Sequence, residues 1–209
     1  VGSSLQPGSD SQKRVITYWQ DTTLPATRTF YGYNTTSSSW VAYRTETLSY
    51  DTNNNILTRT LADNTPAATP SRIWNYTNTY HGSSAVLSQV VVNGPRSVSD
   101  TVTYIYNSSG QLTSVTDANN RVTTYTNYNS FGLPETVTDV ANTIVTTLAY
   151  DARGRLENTT TDGASTDITY WPNGLVRRVT QPDASYLEYT YNSAHQLVSV
   201  VNQKGEHIE

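Results

Sequence analysis

The stretch Tyr150 to Leu156, YDARGRL, has the pattern of a tight β-hairpin turn and decides the fold of this 209-residue chain. The side chain of Asp151 can accept hydrogen bonds from backbone amides two residues further on, and Gly154 stands where the turn needs a left-handed backbone. Tyr150 and Leu156 flank the turn. We therefore expect them to pack on one face of a sheet, as an aromatic–aliphatic pair.

The same pattern recurs along the chain. YNSSGQL, YNSFGLP, YWPNGLV and YNSAHQL begin at Tyr106, Tyr128, Tyr170 and Tyr191, and the successive tyrosines, with Tyr150 included, are 22, 22, 20 and 21 residues apart. A second polar turn and an alternating apolar segment separate one copy from the next. Such a fixed period indicates a repeat protein, with each unit reading strand, turn, strand, turn. The residues that define the repeat are Tyr106, Gly110, Leu112, Tyr128, Gly132, Tyr150, Asp151, Gly154, Leu156, Tyr170, Gly174, Tyr191 and Leu197.

The N-terminal half repeats less regularly. YDTNNNI, from Tyr50, is an earlier copy, and Tyr18 begins an eroded one. The 56 residues between Tyr50 and Tyr106 imply degenerate units or inserted loops. We therefore divide the chain into an arm or linker (1–13), degenerate repeats with insertions (14–100) and regular repeats (101–209).

Composition favours strands throughout. The chain has 16 Tyr and 4 Trp but few helix-forming residues, and period-two alternation is common, as in Val102, Tyr104 and Tyr106. A single hairpin is marginally stable in water, so the units should stack sideways. The sequence therefore predicts an all-β fold, in which repeated β-hairpins stack laterally into a curved, spiralling sheet.

Charge and motifs exclude several kinds of protein. A net charge of −4 with 14% charged residues argues against nucleic-acid binding, and no apolar run is long enough to span a membrane. The absence of Cys removes disulfides and thiolate metal sites. His81, His195 and His207 lack metal-ligand spacing, and Asp51 to Asn55 begins like a calcium loop but continues with Ile56 instead of Gly. We expect no metal, no cofactor and no catalytic residue.

The run YDARGRL, followed by ITYWPNGL and QPDASYLEYTYN, resembles the RHS, or YD-repeat, family of surface and toxin-associated proteins. The resemblance is strong from Thr101 to Glu209 and weaker from Arg14 to Asp100. Four positions depart from the pattern: Trp171 replaces the acidic or amide residue, Asn54 and His195 replace the glycine, and Pro134 replaces the leucine.

The resemblance implies a structural function. Proteins of this family are strand spirals that wind into a hollow shell, which in secreted bacterial proteins encloses a C-terminal toxin. Complete shells use more repeats than this chain carries. We therefore expect a non-enzymatic arc of such a shell, secreted or at the cell surface, whose partners are the remaining repeats and an enclosed toxin domain.

Two alternatives remain open. A surface module could bind a glycan or a receptor, with Tyr104, Tyr189 and Trp171 as an aromatic platform, because tyrosine and tryptophan rings offer an apolar face with a polar edge. A scaffold could assemble by pairing of unpaired strand edges. An enzyme has the least support, because no nucleophile motif or phosphate-binding glycine loop occurs.

Overall fold

All regular secondary structure in the described residues is β-strand, so the all-β prediction is confirmed. The computed structural model describes residues 11–65, 69–96 and 98–207. Residues 1–10, which belong to the predicted arm or linker, lie outside this part of the chain, and the first strand begins at Gln12. Within the described ranges no helix has the length and apolar character needed to cross a membrane.

The chain divides into two units. The first unit (residues 11–110 with 116–120) contains β1 (Gln12–Tyr18), β2 (Pro25–Asn34), β3 (Ser39–Tyr50), β4 (Ile56–Asp63), β5 (Arg72–Tyr80), β6 (Leu87–Asn93) and β7 (Thr101–Tyr106). The second unit (residues 111–115 with 121–207) contains β8 (Leu112–Thr116) except its last residue, β9 (Val122–Tyr128), β10 (Pro134–Asp139), β11 (Ile144–Tyr150), β12 (Leu156–Thr161), β13 (Ala164–Tyr170), β14 (Val176–Thr180), β15 (Tyr186–Tyr191) and β16 (Leu197–Asn202). Within each unit the strands lie side by side in chain order, which confirms the stacked hairpins.

Each odd-numbered strand ends on a tyrosine, and a turn leads from it into the next strand. Tyr150 pairs directly with Leu156, and Tyr170 pairs with Val176. Directly opposed residues of an antiparallel pair project to the same side of the sheet. The tyrosine and the apolar residue after the turn therefore share one face, and the contact recurs from hairpin to hairpin.

The structure contains a repeat that the sequence pattern did not reveal. β5 ends at Tyr80, and Tyr80 pairs with Leu87 across a turn that is one residue longer than the YDARGRL turn. The extra residue in YHGSSAVL hides the motif when a fixed six-residue offset is used. The long interval between Tyr50 and Tyr106 therefore holds a complete hairpin, β5–β6, with longer connections on either side.

A β-bulge follows most of these turns. In the β11–β12 hairpin, Tyr150 pairs with Leu156 but Ala149 pairs with Asn158, so Glu157 has no partner. The same shift occurs beside Tyr18, Tyr50, Tyr80, Tyr170 and Tyr191. A bulge of this kind bends the strand and increases its twist. The turn and the bulge together set the geometry at this end of each hairpin.

The bulge end is also where the next strand separates from its neighbour, and a tyrosine hydroxyl spans the gap. The ladder between β12 and β13 begins at Asn158 and Asp167, which leaves the carbonyl of Leu156 beyond its end. The hydroxyl of Tyr170 donates a hydrogen bond to that carbonyl at 2.6 Å. Tyr150 donates in the same way to Pro134 at 2.9 Å, Tyr50 to Pro25 at 2.9 Å, and Tyr128 to Leu112. We call this series of bonds the tyrosine ladder.

Alternation along the strands gives the second unit two different faces. The apolar face carries the aromatic and aliphatic side chains, and register places the following on it: Leu148, Tyr150, Leu156, Ile168, Tyr170, Val179, Leu187, Tyr189, Tyr191 and Val200. The polar face carries threonine and charged residues such as Asp167, Arg178 and Glu188. In the described part of this unit no residue is fully buried, so a second layer of structure does not cover the apolar face.

The turn geometry yields a stability prediction. His195 adopts a left-handed backbone (φ 62°) at the position that Gly154 fills with φ 75°. A non-glycine residue with this backbone lowers the free energy of unfolding by about 1 kcal/mol. Replacing it with glycine recovers only part of this, because glycine also has more conformational freedom in the unfolded chain. We expect His195→Gly to raise the free energy of unfolding by about 0.5 kcal/mol, measured by urea denaturation.

The matched control is Gly154→Ala, which should lower the free energy of unfolding by about 1 kcal/mol. The alanine would have to adopt the left-handed backbone of Gly154, and its Cβ would lie 3.3 Å from the ring of Phe131. A lower unfolding midpoint for His195→Gly than for the parent chain would contradict the assignment of this turn.

The tyrosine ladder yields a second prediction. Tyr150→Phe keeps the ring but leaves the carbonyl of Pro134 without its donor, and we expect a loss of about 1 kcal/mol in the free energy of unfolding. Tyr191→Phe is the matched control, because among the described residues the Tyr191 hydroxyl has no hydrogen-bond partner. Equal losses for the two variants in urea denaturation would show that the hydroxyl bond does not stabilise the sheet.

Candidate functional site

The repeat turn centres on a carboxylate whose hydrogen-bonding capacity is fully used. Oδ1 of Asp151 accepts the backbone amides of Arg153 (2.9 Å) and Arg155 (3.0 Å), and Oδ2 accepts Nε of Arg155 (2.7 Å). The side-chain bond from Arg155, followed by the backbone amides, lowers the pKa of Asp151 to about 2. The carboxylate therefore stays ionised until the pH falls towards that value, which suits a turn cap and does not suit a general acid.

The second position of the turn decides where its side chain binds. At Asp51, Asn107, Asn129, Asp151 and Asn192 the side-chain oxygen accepts amides of its own turn. At Trp19, His81 and Trp171 this cap is missing. Instead, the ring contacts the next odd-numbered strand, and the contacts are Trp19 edge-on to Tyr50 (5.9 Å between centroids), Nε2 of His81 to the carbonyl of Tyr106 (2.9 Å), and Nε1 of Trp171 to the carbonyl of Tyr189 (3.0 Å).

Asp51 connects two hairpins as well as capping its own turn. Oδ2 accepts the hydroxyl of Tyr80 and Nδ2 of Asn78 (3.0 Å). Burial alone would raise the pKa of Asp51, but these bonds and the turn amides lower it. The segment from Asp51 begins like a calcium loop, but both carboxylate oxygens of Asp51 accept hydrogen bonds from protein donors. Tyr80 and Asn78 were missed by the sequence reasoning, and their only signal is the lengthened turn after Tyr80.

A charged triad crosses three strands of the first unit. Glu46 on β3 has a side chain only 10% exposed, and it accepts Nη1 of Arg28 (2.6 Å) and Nε of Arg59 (2.7 Å). Burial would raise the pKa of Glu46, but the two guanidinium groups lower it. Arg59 also stacks on Trp74 at 4.7 Å. All the charges of this triad are paired, so it stabilises strand pairing and offers no free acid or base.

The predicted aromatic platform is divided between the units. Tyr104 lies on β7 of the first unit, whereas Trp171 and Tyr189 lie together in the second. Beside Trp171 is an open cavity of about 490 Å³, lined by Trp171, Pro172, Asn173, Thr190 and Tyr191. Tyr189 supplies its carbonyl to the indole and does not line the cavity. Sequence reasoning did not identify Thr190 or Asn173, because the fold brings them to Trp171 from another strand and a turn.

In the described ranges, no group of three His, Asp or Glu side chains is close enough together to bind a metal ion. Of the three histidines, His81 bonds to the carbonyl of Tyr106 at the end of β7, and His195 lies in a turn. Nδ1 of His207 lies 3.0 Å from the hydroxyl of Ser199.

Solved structures with a similar fold come from toxin complexes. The Tc holotoxin pore of Photorhabdus luminescens matches with a TM-score of 0.57 and 12% identity, over 86% of this chain and 10% of that chain. The complex TcdB2-TccC3-Cdc42 matches with a TM-score of 0.45 and 16% identity, over 88% of this chain and 11% of that chain. TcdB2-TccC3 without its hypervariable C-terminal region matches with a TM-score of 0.47 and 14% identity, over 86% of this chain and 12% of that chain. At these identities the first match shows a shared fold, and this chain spans about a tenth of that protein. No curated protein matches the chain.

The family model for the RHS repeat matches residues 106–144 and 170–207. The first match begins at Tyr106 and the second at Tyr170, which are the last residues of β7 and β13, so both matches begin at a hairpin turn of the structure. The turns and the tyrosine-ended strands agree with this match, and the segments 106–144 and 170–207 are similar to RHS repeats, also called YD repeats.

Proposed function

We propose that the chain is part of the wall of an RHS-repeat shell, and that this shell encloses a toxin or effector domain of a secreted bacterial protein. The tyrosine ladder is the observation that carries the proposal. Several hairpins bind the hairpin before them through the same hydroxyl-to-carbonyl bond, as Tyr150 binds Pro134 and Tyr170 binds Leu156. Such an interaction can be repeated without limit, and it lets a long wall be built from short units.

The two faces of the second unit support a wall with different sides. The apolar face is only half-buried, although it carries the repeat tyrosines. An isolated soluble domain normally covers such a surface with a second layer. In a shell that surface can meet the enclosed polypeptide or neighbouring wall, while threonine and ion pairs such as Arg178 with Glu188 face the other way.

The charged groups support a structural function without catalysis. Asp51, Asp151 and Glu46 are each held by several donors, and the pKa of each is lowered. A catalytic carboxyl group usually has a raised pKa or an open oxygen aimed at a substrate. These three carboxylates instead fix turns and strand pairs.

The decisive experiment is protease protection of the parent polypeptide, which the proposal requires to carry further repeats and a C-terminal domain. We expect that domain to be digested much more slowly within the parent than when it is produced alone. The double variant Tyr150→Phe and Tyr170→Phe should loosen the wall and speed this digestion, and Tyr191→Phe, which removes no ladder bond, should not.

Equal digestion of the C-terminal domain within the parent and alone would overturn the proposal. A parent without additional repeats would overturn it as well, because an isolated arc cannot enclose a domain.

A further inference from the structure

The cavity beside Trp171 has the composition of a binding site for a neutral ligand. Its five lining residues, Trp171, Pro172, Asn173, Thr190 and Tyr191, carry no charge, and its volume of about 490 Å³ lies within the range of small-molecule sites. It opens where the turn between β13 and β14 meets the end of β15. None of the five has a role in the tyrosine ladder.

Trp171 is held in place as the aromatic wall of this cavity. Its Nε1 donates to the carbonyl of Tyr189 at 3.0 Å, and the guanidinium of Arg177 lies 5.0 Å from the ring centroid. Arg177 in turn lies 3.6 Å from Glu188 and does not line the cavity. A ring fixed at its edge loses little side-chain entropy when a ligand stacks on it.

The cavity also offers polar groups that the protein leaves open. The hydroxyl of Thr190 and the amide nitrogen of Asn173 have no hydrogen-bond partner among the described residues, while the amide oxygen of Asn173 caps the turn at Leu175. A hydroxyl both donates and accepts, and the amide nitrogen donates. The site therefore combines one aromatic surface with several uncharged polar groups around it.

We propose that this cavity binds a neutral saccharide, with one sugar ring stacked on Trp171 and its hydroxyls bonded to Asn173 and Thr190. A sugar ring presents an apolar face and a rim of hydroxyls that donate and accept, which matches this set of groups. A proline-rich peptide fits less well, because it presents mainly carbonyl acceptors and the indole N–H of Trp171 is already bonded to Tyr189. This site is independent of any enclosed domain.

The test is titration of the full chain with cellohexaose, maltohexaose and chitohexaose, in which binding is measured by calorimetry and by tryptophan fluorescence. We expect at least one of them to bind. Trp171→Asp should lower its affinity by about tenfold or more, and this variant should fold because it places in the turn the residue found at Asp151. Thr190→Val, which removes one hydroxyl from the cavity, should lower affinity by a smaller factor and serves if Trp171→Asp fails to fold.

The matched control is Trp40→Phe, which alters a tryptophan of the first unit that packs on Tyr33 (5.3 Å) and does not line the cavity, so it should leave affinity unchanged. The proposal is overturned if none of the three saccharides binds, or if they bind equally well to the parent chain and to both cavity variants. Binding of a proline-rich decapeptide that depends on Trp171, without saccharide binding, would replace it with a peptide site. Loss of saccharide binding would leave the protease-protection result for the shell unaffected.

Discussion

A hydrogen bond from a tyrosine hydroxyl to a backbone carbonyl of the preceding hairpin is the interaction on which the stacked repeats depend. The ladder between neighbouring hairpins stops short at the bulged end, and a carbonyl such as that of Leu156 is left without a strand partner. A buried or half-buried carbonyl without a donor is costly. The ring of Tyr170 is long enough for its hydroxyl to reach this carbonyl, which explains why tyrosine and not phenylalanine ends β13.

The residue after that tyrosine determines how the turn is capped. An acidic or amide side chain, as at Asp151, caps its own turn, and Asp51 does so while also binding Tyr80 and Asn78 of β5. An aromatic or imidazole ring, as at Trp19, His81 and Trp171, cannot cap the turn and extends to the next odd-numbered strand instead. One substitution thus exchanges a local interaction for a long-range one without altering the hairpin.

The sequence was sufficient for the fold class because turn chemistry and period-two alternation agree at every regular copy. It did not reveal the hairpin at Tyr80, because one added turn residue breaks the spacing that defines the motif. The triad of Glu46, Arg28 and Arg59 depends on the register of three strands, and register across long connections is not encoded locally. For the same reason Trp171 was recognisable as a candidate platform residue, whereas Thr190 beside it comes from another strand and could not be assigned.

The unpaired bulge residues have a consequence for how such chains can diversify. Leu57, Glu157, Arg177 and Val198 each stand between two paired residues of a strand and are exposed, although their side chains differ in size, polarity and charge. Because the neighbouring pairs already fix the register, strand pairing does not determine the identity of this residue. These four hairpins therefore each offer one position at which mutation can change the outward chemistry of the protein while its architecture is inherited intact.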